Sequence, residues 1–208
     1  GQLASGFNHM VLALKANRQE LVENQRELNQ AQVRMLQAQL NPHFLCNTLD
    51  TMKWISKINH VPQVALMSTN LADILRFCIS AEEFVPLRRE VEVLNRYVEI
   101  QKIRLSDQFS FLVSLPEKLE TCMVPKMILQ PIVENAVEHD ITPNRGGKLT
   151  LRACQTEQEV TLEVFHEGTM TEKDRENIRR ICSDAPLEKR RVGLRNVYKR
   201  MKLLYGDR

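Results

Sequence analysis

The sequence predicts an α+β protein: a long coiled-coil helix, a helical hairpin, and then a mixed domain of strands and helices. Three patterns carry that prediction. Phe7, Met10, Leu14, Asn17, Leu21, Asn24, Leu28, Ala31, Met35 and Ala38 recur at alternating steps of three and four, a heptad seam. Two helix-period stretches then flank His60-Val61-Pro62. Finally, Phe109, Phe111, Val113 and Leu115 alternate as a strand does, and further alternating stretches are separated by helical ones. The composition agrees: of 208 residues, 43% are hydrophobic and only 5% aromatic, which suits an aliphatic, helix-rich core in two units.

Taken in order, the first helix runs from Phe7 to Asn41 without Pro or Gly, and its seam implies a parallel coiled-coil dimer. Asparagines at two seam positions fix register at a cost in stability. The rod can therefore be a signal-transmitting element with two packings or a static dimerisation helix, and periodicity does not choose. Pro42 predicts a kink or break, because it lacks an N–H and its ring crowds the preceding turn. Helical patterning resumes through Leu45, Leu49, Met52 and Trp54, and again from Val64 to Ile79, giving two antiparallel helices. A helix over Leu87 to Leu105 follows, then the strand Phe109 to Leu115. Val124 to His139 reads as a helix with Pro125 near its start, Lys148 to Cys154 and Val160 to Phe165 as paired strands, and Thr171 to Ile181 and Gly193 to Leu204 as helices.

Composition excludes several functions. Lys and Arg number 29 against 26 Asp and Glu, a dispersed net charge of +3 that argues against nucleic acid as the main partner. Cys46, Cys78, Cys122, Cys154 and Cys182 are odd in number and lack a Cys-x-x-Cys pair, so neither a disulfide framework nor a zinc site is indicated, and a reducing compartment fits best. No apolar run approaches the roughly 18 residues of a membrane span, and no signal peptide opens the chain.

The chemistry-bearing candidate is His43, set by Pro42 where its ring can project from the bundle and offer a nitrogen to a γ-phosphate. An isolated Pro-His pair would ordinarily be a surface or capping feature. The surrounding string Gln39-Leu40-Asn41-Pro42-His43-Phe44-Leu45-Cys46-Asn47-Thr48-Leu49, however, resembles the phosphoacceptor motif of the LytS/YesM-type sensor histidine kinases, with Cys46 where the family usually has Phe. Downstream, Ile128-Leu129-Gln130-Pro131-Ile132-Val133-Glu134-Asn135-Ala136-Val137-Glu138-His139 resembles the N-box helix of that family's ATP-binding domain, and Val192-Gly193-Leu194-Arg195-Asn196-Val197-Tyr198-Lys199-Arg200-Met201 resembles its second glycine box with the following helix. Gly1 to Met10 is similar to the end of a HAMP linker.

The resemblance implies a Bergerat-type α/β sandwich that binds ATP and Mg²⁺. His43 would be the phosphate acceptor, Glu134 a base, and Asn135 the Mg²⁺ ligand. His139, His166, Gly168, Arg191, Gly193 and Leu194 would line the nucleotide. It further implies a homodimer, a response regulator as phosphate recipient, and an upstream membrane sensor region in the same chain. The present residues would then be the cytoplasmic portion of a cell-membrane protein. The implied domains are 1–15, the HAMP end; 16–105, dimerisation and histidine phosphotransfer; and 106–208, ATP binding, with further strands expected after Arg208.

The pattern is broken at the first glycine box. There His166-Glu167-Gly168 stands where an Asp-x-Gly carboxylate would accept from the adenine amino group, and a neutral imidazole does not copy that charge-assisted contact. The next glycine is missing from Thr169-Met170, and Arg191 replaces the first glycine of the second box. Arg191 could reach the phosphates as a cation. Glu138 sets a negative charge near a triphosphate. A dimeric signal-relay module with a decayed nucleotide site is therefore the alternative to an active kinase. An ATPase of the same fold that moves protein clamps is a third reading, against which the His43 motif argues.

Overall fold

The computed structural model describes residues 17–18, 41–142, 146–157, 159–166, 172–181 and 192–206. The chain divides into two units, Gly1–Leu45 and Cys46–Arg208. Of the heptad seam only Asn17 is described, in helical backbone and exposed; the coiled coil otherwise lies outside the described residues.

At Asn41-Pro42 a helix begins. Helix α1 spans Pro42–Ile58. Pro42 occupies the first helical position, where its missing N–H costs nothing, and Asn41 Oδ1 accepts from the Phe44 N–H at 3.1 Å as an N-cap. The helix ends in a Schellman motif: Val61 N–H donates to the Ser56 carbonyl and His60 N–H to that of Lys57, with His60 at φ 56°. Helix α2, Pro62–Ile79, follows as the second arm of the hairpin. An open groove of about 700 Å³ lies beside the turn, lined by Lys53, Ser56, Lys57, His60, Ala65 and Thr69 among others, and holds none of the site residues expected from sequence.

Strand β1, Phe84–Pro86, leads into helix α3, Leu87–Arg104. An ion ladder ties the three helices: Arg76 of α2 bonds Asp50 of α1 at 2.9 Å and Asp73 at 3.0 Å, and Arg96 of α3 reaches Asp73 at 2.7 Å. Buried Asn70 donates to Glu99 at 2.7 Å, satisfying a polar group that would otherwise be costly to bury.

Strand β2 spans Phe109–Ser114, β3 Met123–Pro125, β4 Gly147–Gln155 and β5 Val160–His166. They form two sheets. β1 pairs antiparallel with β3, Val85 opposite Val124; the larger sheet has order β2-β4-β5, with β2 parallel and β5 antiparallel to β4. Gly146 has φ 142°, and a Cβ there would stand 2.5 Å from the Gln108 carbonyl oxygen, so only glycine lets β4 start beside β2.

Helix α4 covers Gln130–Ala136 and passes into a π-helical turn, Val137–Ile141, in which Thr142 N–H reaches back five residues to the Val137 carbonyl. Helix α5 is Glu172–Ile181 and α6 Val192–Tyr205. One core joins Ile74 and Phe77 of α2 and Leu87, Leu94 and Val98 of α3 to Leu129, Val133 and Ile141, and to Phe109, Leu149 and Leu151 of the sheet. The sheet's inner face thus meets helices and its outer face, with Leu112, Arg152 and Phe165, meets water.

Two expectations are corrected. Val124 and Pro125 are not helical: they pair with Val85 and Phe84, and the helix expected from Val124 begins only at Gln130. The proline that opens that helix is Pro131, not Pro125. The short strand Phe84–Pro86 was invisible to periodicity, because three residues hold too few alternations to register.

Candidate functional site

His43 lies in the first turn of α1 and is exposed, as are Phe44 and Leu45 after it. The cap on Asn41 fixes that turn, so the Asn-Pro-His order of the sequence sets where the imidazole leaves the helix.

The second group of candidate residues gathers around α4, which packs against α3, β5 and α6. Glu134 and Asn135 are half-buried on it. Glu134 Oε1 accepts from Gln130 Nε2 at 2.8 Å, one turn earlier. Burial first, then the negative charges of Glu134 and Glu138, push the phenol of buried Tyr97 on α3 up. His166 closes β5, half-buried and opposite Leu149. Gly193 and Leu194 stand in the first turn of α6, and a Cβ at Gly193 would lie 3.5 Å from Pro131 Cβ. β5 and the start of α6 thereby both pack against α4. Of His139 only the backbone is described, in the π-helical turn; Gly168 and Arg191 lie outside the described residues.

The donor chemistry fits Mg²⁺ and phosphate. Mg²⁺ takes one or two protein oxygens and otherwise phosphate oxygens and water, a role the Asn135 amide oxygen can fill. Among the described residues no group of three or more His, Cys, Asp and Glu gathers to hold a metal by protein alone.

The turn before α4 is built by residues the motifs did not include. Glu90 of α3 is 3% exposed, and its carboxylate accepts from the N–H groups of Met127 at 2.5 Å, Ile128 at 3.2 Å and Leu129 at 3.3 Å. Burial pushes its pKa up, while the three backbone donors and Arg200 pull it down. Lys126, also buried, donates to the Ser80 carbonyl and hydroxyl, and burial pulls its ammonium pKa down. Arg200 of α6 donates to the carbonyls of Lys126 at 2.6 Å and Glu83 at 3.2 Å. One signal for Glu90 was present in the sequence: it falls three residues after Leu87 and four before Leu94, on the apolar face of α3.

A histidine-led hairpin joined to a mixed-sheet domain is an architecture consistent with a sensor kinase, and the comparisons agree. The family profile described as Histidine kinase matches residues 31–109. Sensor histidine kinase YesM of Bacillus subtilis is 29% identical over 100% of this chain and 35% of its own length. Sensor histidine kinase YpdA of Escherichia coli is 31% identical over 99% of this chain and 36% of its own, and sensor protein LytS of Oceanobacillus iheyensis 30% identical over 86% and 32%. The chain belongs to the LytS/YesM-type sensor histidine kinases. It spans about a third of the length of these curated relatives. Among the described residues, no helix is long and apolar enough to cross a membrane.

Proposed function

We propose that this protein phosphorylates itself on His43 from Mg-ATP and passes the phosphate to an aspartate of a response regulator. The observation that supports the reading is that β5 and the first turn of α6 both pack against α4, the helix that carries Asn135. In this reading the domain is a Bergerat-type α/β sandwich. Asn135 holds Mg²⁺, which neutralises phosphate charge, and Glu134 is the candidate base. The first turn of α6, with Gly193 and Leu194, meets the phosphates through backbone N–H groups. His139, Gly168 and Arg191 complete the nucleotide site, with His166 toward the adenine. A ring nitrogen of His43 attacks the γ-phosphorus as ADP leaves, so catalysis is chiefly positioning and charge neutralisation.

The protein acts as a homodimer in this reading. Met52, Trp54, Ile55, Ile58, Val64 and Leu66 leave a large apolar surface on the hairpin, Ile58 being 75% exposed, and a second hairpin would cover it. Residues 1–15 end a HAMP-type linker, 16–105 carry dimerisation and phosphotransfer, and 106–208 bind ATP. The whole lies on the cytoplasmic side of a membrane sensor region of the same chain.

A second reading, a relay module that binds no nucleotide, is favoured by one feature: His166 stands where the family has a carboxylate for adenine. The test is incubation of the purified protein and its His43→Gln variant with γ-labelled ATP and Mg²⁺. Acid-labile label present in the first and absent from the variant supports the kinase. No label and no bound ATP supports the relay.

A further inference from the structure

The segment Lys126–Leu129 is a junction. It leads directly into α4, and three other elements grip it: the C-cap of α2 through the Ser80 carbonyl and hydroxyl on Lys126 Nζ, α3 through Glu90, and α6 through Arg200 on the Lys126 carbonyl. Within it Met127 holds φ 65°, a left-handed conformation that a side chain with a Cβ disfavours. In the turn that precedes α4, the N–H groups of Met127, Ile128 and Leu129 converge on one buried carboxylate from 37 to 39 residues earlier in the chain. Glu90 therefore holds the turn that feeds α4, and does so from a different helix. The orientation of α4 is set by α3.

We propose that Glu90 is the positioning residue of the N-box helix: by pinning the Met127–Leu129 turn it aims Asn135, less than two turns further on, at the metal and phosphates. This rests on the reading of α4 as the Mg-nucleotide helix. Because α3 packs against α2 of the hairpin, a shift of α2 reaches α4 through this carboxylate, giving the hairpin a mechanical hold on the nucleotide site.

Glu90→Gln keeps the shape but offers a single carbonyl, and its NH₂ opposes the backbone donors. Two readouts are taken on the folded protein: Mg²⁺-dependent affinity for a fluorescent ATP analogue, and amide exchange compared between α4 and α2. The proposal expects about a tenfold or greater loss of affinity, as substitutions of residues that orient metal ligands typically give. It expects faster exchange in α4 with α2 unchanged, and partial recovery of both in Glu90→Gln/Met127→Gly, where glycine accepts the left-handed turn unaided. Unchanged affinity and α4 exchange overturn it. Equal acceleration in α2 and α4 also overturns it, since that marks a general stability role. If Glu90→Gln does not fold, the double variant gives the same comparison. If the unaltered protein binds no nucleotide, the kinase reading fails, while the exchange comparison still decides whether Glu90 positions α4.

Discussion

Arg200→Met should loosen the last helix from the rest of the Cys46–Arg208 unit. The guanidinium makes two hydrogen bonds to backbone carbonyls, a part-buried one to Lys126 at 2.6 Å and an exposed one to Glu83 at 3.2 Å. A hydrogen bond from a charged group contributes about 1.5–3 kcal/mol, and the exposed second bond adds less because water competes for it. Methionine keeps the aliphatic stem and leaves the Lys126 carbonyl without this donor, so the expected loss is about 2–3 kcal/mol. With a urea slope of about 1–3 kcal/mol/M, the midpoint should fall by roughly 0.7–3 M. Arg200→Lys retains the charge but lacks the planar fork that spans two carbonyls, and should fall between the two. Urea denaturation of the three proteins, followed by circular dichroism, is the assay. A loss under about 0.5 kcal/mol for the methionine variant, the range of ordinary surface changes, would refute the assignment of Arg200 as the tie between α6 and the β1–β3 ribbon.

Two further outcomes follow from local geometry and titration. His60→Gly should stabilise the hairpin by about 0.5–1 kcal/mol, because His60 holds φ 56° at the helix end, where glycine bears no Cβ penalty; a lower melting temperature would count against the Schellman turn. For Glu90, burial raises the folded pKa above the ordinary 4.5. Its protonated form is favoured by folding, so this contribution is complete below the unfolded value and is lost as pH rises through the folded one. The stability of the unaltered protein relative to Glu90→Gln should therefore narrow from about pH 4 toward neutrality, and a widening gap in denaturation midpoints would contradict that sign.

Much of the architecture was legible in local pattern. The hairpin, α3, the strands from Phe109 and Val160, and the last two helices all repeat their period over enough residues for one buried face to declare itself. The Asn-Pro-His order likewise sets its own local structure, since the cap and the N1 proline act within four residues. What local pattern could not supply was the strand character of Val124-Pro125, which exists because Val85 lies opposite, nearly forty residues away in the chain. Nor could it supply the role of Glu90, which reads as an ordinary first-turn acid until Met127, Ile128 and Leu129 present their N–H groups to it. The sequence alone determined the elements whose stabilising contacts are periodic or near in the chain. Only the tertiary structure decided where α4 begins and what holds it, because a buried carboxylate is tolerated only where distant backbone donors converge to satisfy it.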